Sequence, residues 1–210
     1  MSARNLAAAW LLAISAFAAQ PLPGLRVEAT AGGSILYIKN GAAQPLTAYL
    51  IELVDYPGSY YALWQDDAAA TPIAPGAEKR IPITNMTVGA VPDYVKVQAA
   101  LYADGSSSGI PEKAAQLVER RRSLLETTSE LIRRIEKAQS KDAMIADLDQ
   151  WTAGMPPLGK NNRTQAAINQ AAARGLIAAS VAQLREHSLE EALAALRASE
   201  RALLASKPPL

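Results

Sequence analysis

Few side chains in this chain have the types and spacing that chemistry requires. The sequence contains one histidine, His187, and no cysteine, so neither a histidine cluster nor a set of thiolates is available to hold a metal. His187 directly precedes Ser188 between two predicted helices, where an imidazole stabilises the C-terminal end of the helix dipole. No nucleophile or second ligand can be paired with it. The sequence therefore predicts no catalytic residue, no cofactor and no metal, and a protein that is not an enzyme.

Paired carboxylates are the second group with possible chemistry. Asp66 and Asp67 are adjacent, and Asp55 and Asp104 lie in predicted loops that could approach them. Calcium requires several oxygen ligands of this kind. The spacing matches no EF-hand, however, and acidic residues in loops are usually solvated turns, so the solvated turn is the favoured interpretation.

Aromatic side chains are concentrated in one short region. Tyr56, Tyr60, Tyr61 and Trp64 lie close together along the chain. They could form a face that stacks on a sugar or binds a protein. Aromatic pairs across neighbouring strands, which stabilise a sheet, are the favoured alternative. These four residues are the predicted ligand-binding or partner-binding site.

Three consecutive arginines, Arg120, Arg121 and Arg122, could contact an acidic partner. Glutamates flank the run, which is more typical of a solvated helix face. Arg121 shares the helical seam of Leu117 and Leu124, because consecutive members are three or four residues apart. We therefore expect Arg121 to be partly buried.

The first half of the chain has the pattern of strands. Between Leu25 and Tyr102, apolar and polar residues alternate in short runs that glycine and proline interrupt. A period of two predicts strands with one buried face, and six or seven such strands predict a β-sandwich over residues 20–109. The segment 46–54 is the most apolar, so we expect it to be central in its sheet.

The turn signals of this half resemble those of bacterial immunoglobulin-like modules. They comprise an Asn-Gly turn at Asn40-Gly41, a proline-flanked strand over residues 45–54, a turn at Pro75-Gly76 and a last strand over residues 100–105. The resemblance covers residues 25–109 and implies an immunoglobulin-like sandwich. It implies nothing about activity, because such modules serve many functions. The cysteine pair of disulfide-bridged immunoglobulin domains is absent.

The second half has the pattern of helices. From Pro111, apolar residues recur every three or four positions, and they predict helix over residues 111–152, either unbroken or interrupted near Ser140. An alanine-rich helix over residues 164–186 follows. A capping box then begins the last helix, with Ser188 as the N-cap and Glu191 three residues later. Residues 110–210 are thus predicted to form an all-α helical hairpin or three-helix unit after the sandwich.

The apolar stripe of the first helical segment must be buried against other apolar surface. Leu117, Leu124, Leu131 and Ile135 lie on this stripe, and the alanine-rich helix has little apolar area with which to bury them. We therefore expect these four residues to take part in self-association or to bind another protein. We also expect the halves to fold separately, with the boundary at Gly109.

The beginning of the sequence predicts export. Arg4 is followed by an apolar run over residues 6–17 and by the small-x-small pattern Ala16-Phe17-Ala18, so residues 1–19 are predicted to be a cleaved signal peptide. The run is too short to span a bilayer. We therefore expect a periplasmic or extracellular protein with no stable membrane insertion after cleavage.

Composition and charge narrow the range of functions. The formal net charge is +1, so no global field attracts nucleic acid, and no nucleic-acid partner is predicted. The sequence favours an exported, non-enzymatic structural or protein-interaction protein of the bacterial envelope. The alternative is a sandwich that binds a glycan or small ligand through Tyr56, Tyr60, Tyr61 and Trp64.

Overall fold

A computed structural model describes residues 20–54, 60–83, 94–159 and 163–206. The predicted signal peptide, Asp55 and Tyr56 lie outside these residues. The described strands are β1 (Gly24–Thr30), β2 (Gly33–Lys39), β3 (Leu46–Val54), β4 (Tyr61–Asp66), β5 (Glu78–Ile83), β6 (Tyr94–Tyr102) and β7 (Ser107–Gly109). The helices are α1 (Pro111–Lys137), α2 (Lys141–Gly154), α3 (Gln165–Glu186) and α4 (Leu189–Ala205). The predicted order, with sheets first and helices second, is confirmed.

The strands form two antiparallel sheets. One has the order β1-β2-β5 and the other has the order β4-β3-β6-β7. Alternate residues of both sheets point into one shared apolar core, whose fully buried members include Leu36, Ile38, Tyr49, Ile51 and Tyr102. The period-two pattern therefore places one face of each sheet against the other.

Strand β3 is central in the four-stranded sheet, as its apolar sequence predicted. One of its faces meets the shared core. On the other face, Leu50 of β3 and Leu101 of β6 pack with Leu117 of α1 in a second cluster. Because α1 covers the outer face of this sheet, β3 is apolar on both faces rather than on alternate residues.

Strand β7 lies in the stretch that the sequence predicted only as the break between the two halves. Gly105 has a φ of 85° and turns the chain back, so that β7 pairs with β6. A Cβ atom on Gly109, where φ is 95°, would lie 2.2 Å from the carbonyl oxygen of Gln98. Only glycine therefore allows the chain to pass so close to β6 before α1 begins.

The tight turn predicted at Asn40-Gly41 is wrong. Gly41 does not have a positive φ, and Asn40 is fully buried between two loops. Its Nδ2 donates to the carbonyl oxygens of Gln44 and Ile73, each at 2.8 Å. This segment connects β2 to β3 in the other sheet, so a hairpin turn would misdirect it. The turn predicted at Pro75-Gly76 is confirmed, since Gly76 has a φ of 77°.

The sequence left open whether the helix over residues 111–152 breaks near Ser140, and in the structure it does, because α1 ends at Lys137 and α2 begins at Lys141. The Oγ atom of Ser140 accepts a hydrogen bond from the backbone N–H of Ala143 at 3.2 Å and caps α2. The described residues therefore form four helices rather than a hairpin or a three-helix unit. The capping box of Ser188 and Glu191 is confirmed at the start of α4.

Helix α1 belongs to two layers. Its first half lies on the four-stranded sheet, and its second half shares a core with α2, α3 and α4. The buried members of the helical core include Leu131, Ile135, Leu148, Ile177, Leu184 and Leu196. The helices begin at Pro111, as the sequence predicted, whereas the last strand ends at Gly109 and was not predicted. Separate folding of the halves stays a prediction.

Candidate functional site

A buried ion pair joins the helices to the sheets. Nε of Arg121 lies 2.9 Å from Oδ2 of Asp66, and Nη2 lies 3.2 Å from Oδ1. Only 4 % of the Arg121 side chain and 3 % of the Asp66 side chain are exposed. The two parallel bonds match the planar fork of a guanidinium to a carboxylate, and they fix α1 on β4.

Arg121 makes two further hydrogen bonds. Its Nη2 donates to Oγ1 of Thr47 on β3 at 2.9 Å, and its Nη1 donates to the carbonyl oxygen of Ser206 at 2.6 Å. Ser206 is the C-cap of α4. One side chain thus bonds to β3, β4 and the end of the last helix, which satisfies a charge that would be costly to bury alone.

The three consecutive arginines have different environments, because neighbouring residues on a helix point about 100° apart. Arg121 is buried in the ion pair, as the seam position predicted, but more completely than expected. Arg122 is exposed and pairs with Glu119 at 2.7 Å. The solvated interpretation therefore holds for Arg122 alone.

Arg120 lies beside Arg121 and forms no ion pair of its own among the described residues. Its Nη1 atom is buried and, within the same part of the chain, has no hydrogen-bond partner. Burial lowers the pKa of the Arg120 guanidinium, while the negative charge of Asp66 raises it. Among the described residues, Asp66 therefore acts on both guanidinium groups, while its hydrogen bonds to these arginines all go to Arg121.

Arg120 lines a groove between β4, α1 and α3 that has a volume of about 880 Å³. Its α3 wall consists largely of small residues, namely Ala167, Ala171, Ala172, Gly175 and Ala179. Trp64 of β4 and Leu124 of α1 contribute apolar surface on the other sides. Among the described residues of the lining, the polar side chains are Gln65, Asp66 and Arg120. An apolar cleft with a few convergent polar groups is typical of a binding site.

One end of the four-stranded sheet has a polar cluster. The guanidinium of Arg163 stacks over the ring of Tyr60, with its Cζ atom 3.9 Å from the ring centroid. Nζ of Lys113 lies 2.6 Å from Oε1 of Glu52. Burial raises the pKa of Glu52, but hydrogen bonds from Lys113 and Tyr60 and the charge of Lys113 bring it below its ordinary value. Glu52 is therefore charged, and its carboxylate is held by an ion pair and hydrogen bonds within the protein.

The predicted aromatic site is divided. Tyr56 lies outside the described residues. On β4, Tyr61 is exposed, whereas Trp64 packs in the cluster between the four-stranded sheet and α1. Residues three positions apart on a strand point to opposite faces, so Tyr61 and Trp64 do not form one stacking surface. Tyr60 is covered by Arg163. Of the three members of this predicted site that the structure describes, Trp64 lines the groove and the two tyrosines do not.

The predicted self-association stripe is mostly covered within the chain. Leu117 packs against the sheet, and Leu131 and Ile135 lie in the helical core, each with no more than 4 % of its surface exposed. Leu124 is half-buried and lines the groove. Any contact of the stripe with a second molecule would therefore have to use Leu124, and self-association stays a prediction.

The acidic pair does not form the solvated turn that we favoured. Asp66 is held by Arg121, and Oδ2 of Asp67 accepts a hydrogen bond from Nζ of Lys79 on β5 at 2.6 Å. Within the described ranges, no group of three or more histidine, aspartate or glutamate side chains could hold a metal ion. His187 is the C-cap of α3, and its Nδ1 lies 4.0 Å from Oε2 of Glu191.

Sequence reasoning missed Asp66 and Arg120 as parts of one site. One signal for Asp66 was available in the sequence, namely an arginine, Arg121, on an apolar seam of a helix. A buried guanidinium requires a buried carboxylate elsewhere in the chain. Asp66, at the end of a strand, was a candidate for that partner. The position of Arg120 beside a cleft had no signal in the sequence.

Comparisons with known proteins give no relative. No protein-family model, no curated protein and no solved structure matches this chain. Of the helices that the described residues form, none is long and apolar enough to cross a membrane.

Proposed function

We propose that this chain is an exported, non-enzymatic protein-interaction protein, and that it binds its partner in the groove between β4 and α3. The observation that carries this proposal is the position of Arg120, which lines a largely apolar cleft beside Gln65 and Asp66 and whose Nη1 atom has no hydrogen-bond partner among the described residues. Charge recognition within apolar surface gives a binding site both affinity and specificity.

The chemistry of the lining supports binding rather than catalysis. Among the described residues that line the groove there is no histidine, serine or cysteine. Its carboxylate, Asp66, accepts two hydrogen bonds from Arg121 and one from the backbone N–H of Ala68. The oxygens of this carboxylate are thus already occupied by hydrogen bonds within the protein.

We further propose that the strands form an immunoglobulin-like sandwich. The strand order supports this assignment. The first, second and fifth strands share one sheet, and the third, sixth and seventh share the other, with the fourth strand beside the third. Constant-type immunoglobulin domains place strands A, B, E and D in one sheet and C, F and G in the other, and variable-type domains add strand C′ beside C. The described residues contain counterparts of all of these except strand D.

Export is part of the proposal because of the pattern in residues 1–19. Protein isolated from the producing cell should begin close to Ala19 or Gln20 when its N-terminus is sequenced. An intact Met1 on protein recovered from the cytoplasm would contradict export.

Site-specific photocrosslinking tests the interaction. A photoreactive amino acid replaces Ala171, which is exposed and lines the groove, or Ala198, which is equally exposed on α4. We expect the probe at position 171 to crosslink one protein of the producing cell, identified by mass spectrometry, and the probe at 198 to give no such product. Equal products from both positions, or none from 171, would contradict the proposed function.

The alternative of a glycan-binding face has less support. A sugar platform needs coplanar or adjacent aromatic rings, whereas Tyr61 and Trp64 point to opposite faces of β4. Arg163 already stacks on Tyr60. The groove, and not the aromatic region as a whole, is therefore the proposed contact site.

A further inference from the structure

Strand β4 is an edge strand whose outer side has no partner strand among the described residues. It pairs with β3 only. The groove is lined by the consecutive β4 residues Ala62, Leu63, Trp64, Gln65 and Asp66. A cleft that contacts only one face of a strand would be lined by every second residue. Lining by consecutive residues therefore places the groove along the free edge of β4.

The direction of the free backbone groups follows from one hydrogen bond. The N–H of Asp67 donates to the carbonyl oxygen of Thr47 at 2.7 Å. In an antiparallel pair, the direction of the N–H groups alternates along each strand. The N–H groups of Leu63 and Gln65 thus point to β3, and those of Ala62 and Trp64 point outward to the groove.

The other sheet edges have features that prevent a further strand from pairing. β5 contains Pro82 and two basic residues, and β7 has only three residues. β1 has Arg26 and Glu28 in an exposed pair. Proline, charge and short length are the usual protections of an edge strand. β4 contains no proline, lysine or arginine, so it is the edge that remains able to pair.

The size of the groove suits an extended segment of chain. From Ala62 to Asp66 the strand edge is about 13 Å long at roughly 3.3 Å per residue. The opposite wall from Ala167 to Ala179 rises about 18 Å at roughly 1.5 Å per residue. Alanine and glycine on this wall leave space for the side chains of a peptide between β4 and α3.

The charge in the groove determines what the peptide must contain. Ala62 and Trp64 point their side chains toward α1, in the cluster that includes Leu117. Arg120 and Leu124 of α1 line the groove. Alternate side chains of a strand added to β4 would face the same way, so an aspartate or glutamate among them would neutralise Arg120 and its neighbours would be apolar.

We propose that the groove binds an extended peptide segment of a partner protein as an additional strand on the free edge of β4, and that a carboxylate of this peptide pairs with Arg120. This inference rests on the proposed function and specifies how the partner is held. Main-chain hydrogen bonds would supply affinity, and the carboxylate and its apolar neighbours would supply specificity. Every second side chain of the peptide therefore faces α1. One of these side chains is acidic, and the others are apolar.

The test begins with a phage library of random peptides selected against the purified protein. We expect enriched peptides with alternating apolar residues and one aspartate or glutamate. In the complex with an enriched, synthesised peptide, amide exchange of Ala62 and Trp64 should slow, whereas Leu63 and Gln65 are already bonded to β3 and serve as internal controls. Failure to enrich any peptide, or unchanged exchange at Ala62 and Trp64, would overturn the inference.

Two variants at one position test strand addition. Ala62→Pro removes an N–H group that points outward and makes no bond to β3, which an edge strand tolerates. Ala62→Ser keeps that N–H group and a similar volume. We expect Ala62→Pro to weaken peptide binding by about tenfold or more and Ala62→Ser to have little effect. Equal binding by the two variants would overturn the inference, and the exchange measurement on the unaltered protein decides it if Ala62→Pro does not fold.

Arg120→Met tests the carboxylate. It should weaken binding of the acidic peptide by about tenfold, and a peptide with glutamine in place of glutamate should bind both proteins alike.

Binding of sodium dodecanoate with no peptide enriched would identify an acyl carboxylate as the occupant and overturn the peptide inference. A dimer that Ala62→Pro dissociates would identify a second copy instead. If the probe at position 171 crosslinks a partner protein but Ala62→Pro does not weaken peptide binding, the proposed function stands and only strand addition is rejected.

Discussion

Arg121 of α1 and Asp66 of β4 form a two-bond ion pair, 2.9 Å and 3.2 Å long, across the junction between the sheets and the helices. The pair lies where the sheet, the middle of α1 and the end of α4 meet, since Thr47 and Ser206 bond to the same guanidinium. Its removal should therefore affect both halves of the chain at once.

Arg121→Met should lower the free energy of unfolding by about 3–5 kcal/mol, because it leaves the buried carboxylate of Asp66 without its partner. Urea denaturation followed by circular dichroism measures the loss. The double variant Arg121→Met with Asp66→Leu should lose much less than the sum of the two single changes, since it removes both charges. Additive losses would show that the pair is not coupled.

Arg120→Met should not lower the free energy of unfolding, in contrast to Arg121→Met. The Nη1 atom of Arg120 is buried and has no hydrogen-bond partner among the described residues, so removal of the charge ends a desolvation that Asp66 offsets only in part. We expect the free energy of unfolding to rise, or to change by less than about 0.5 kcal/mol. A loss as large as that of Arg121→Met would mean that Arg120 has a structural role.

Gly109→Ala should destabilise the protein by more than about 2 kcal/mol, because its φ is 95° and its new Cβ would lie 2.2 Å from the carbonyl oxygen of Gln98. Gly175→Ala is the matched control. Gly175 lies within α3 with nothing within 4 Å of an added Cβ. Gly175→Ala should raise the free energy of unfolding by about 0.5–1 kcal/mol, since alanine favours a helix. Thermal or urea unfolding measures the change. Similar effects at the two positions would contradict the close approach at Gly109.

Glu52 should give stability that depends on pH. Its side chain is 12 % exposed, and its pKa in the folded protein lies below the ordinary value of 4.5. The folded state therefore binds the proton less readily than the unfolded state, so this contribution is complete above about pH 4.5 and is lost as the pH falls through the folded-state pKa. Glu52→Gln should cost about 1–3 kcal/mol at neutral pH. Urea midpoints of the two proteins should converge in acid, and a difference independent of pH would contradict this account.

Leu131 and Leu124 should respond differently to charge. Leu131→Glu should prevent folding, because the side chain is 0 % exposed in the helical core. Leu124→Glu should fold, since Leu124 is half-buried beside the groove. Sedimentation of Leu124→Glu then tests self-association without unfolding the protein. If the unaltered protein self-associates and Leu124→Glu does not change it, the stripe is not the interface.

The amino-acid sequence by itself determined the elements whose cause is local. The period-two run of β1, the capping box at Ser188 and the proline at the first turn of α1 each depend on neighbours within a few residues. For this reason the strand and helix bounds agree closely with the predictions, and the change of architecture lies where the composition changes. The short strand β7 was missed because its cause is the close approach of Gly109 to Gln98, a contact between strands.

Only the tertiary structure decided which apolar and charged residues meet. The stripe of α1 reads as one surface in the sequence, but its first part covers the sheet and its second part covers α2, α3 and α4. Arg120 and Arg121 are neighbours of the same type, and their different roles come from the rotation of about 100° between them on the helix. The groove depends on the distance between β4 and α3, two elements far apart in the chain, and no local pattern encodes such a distance.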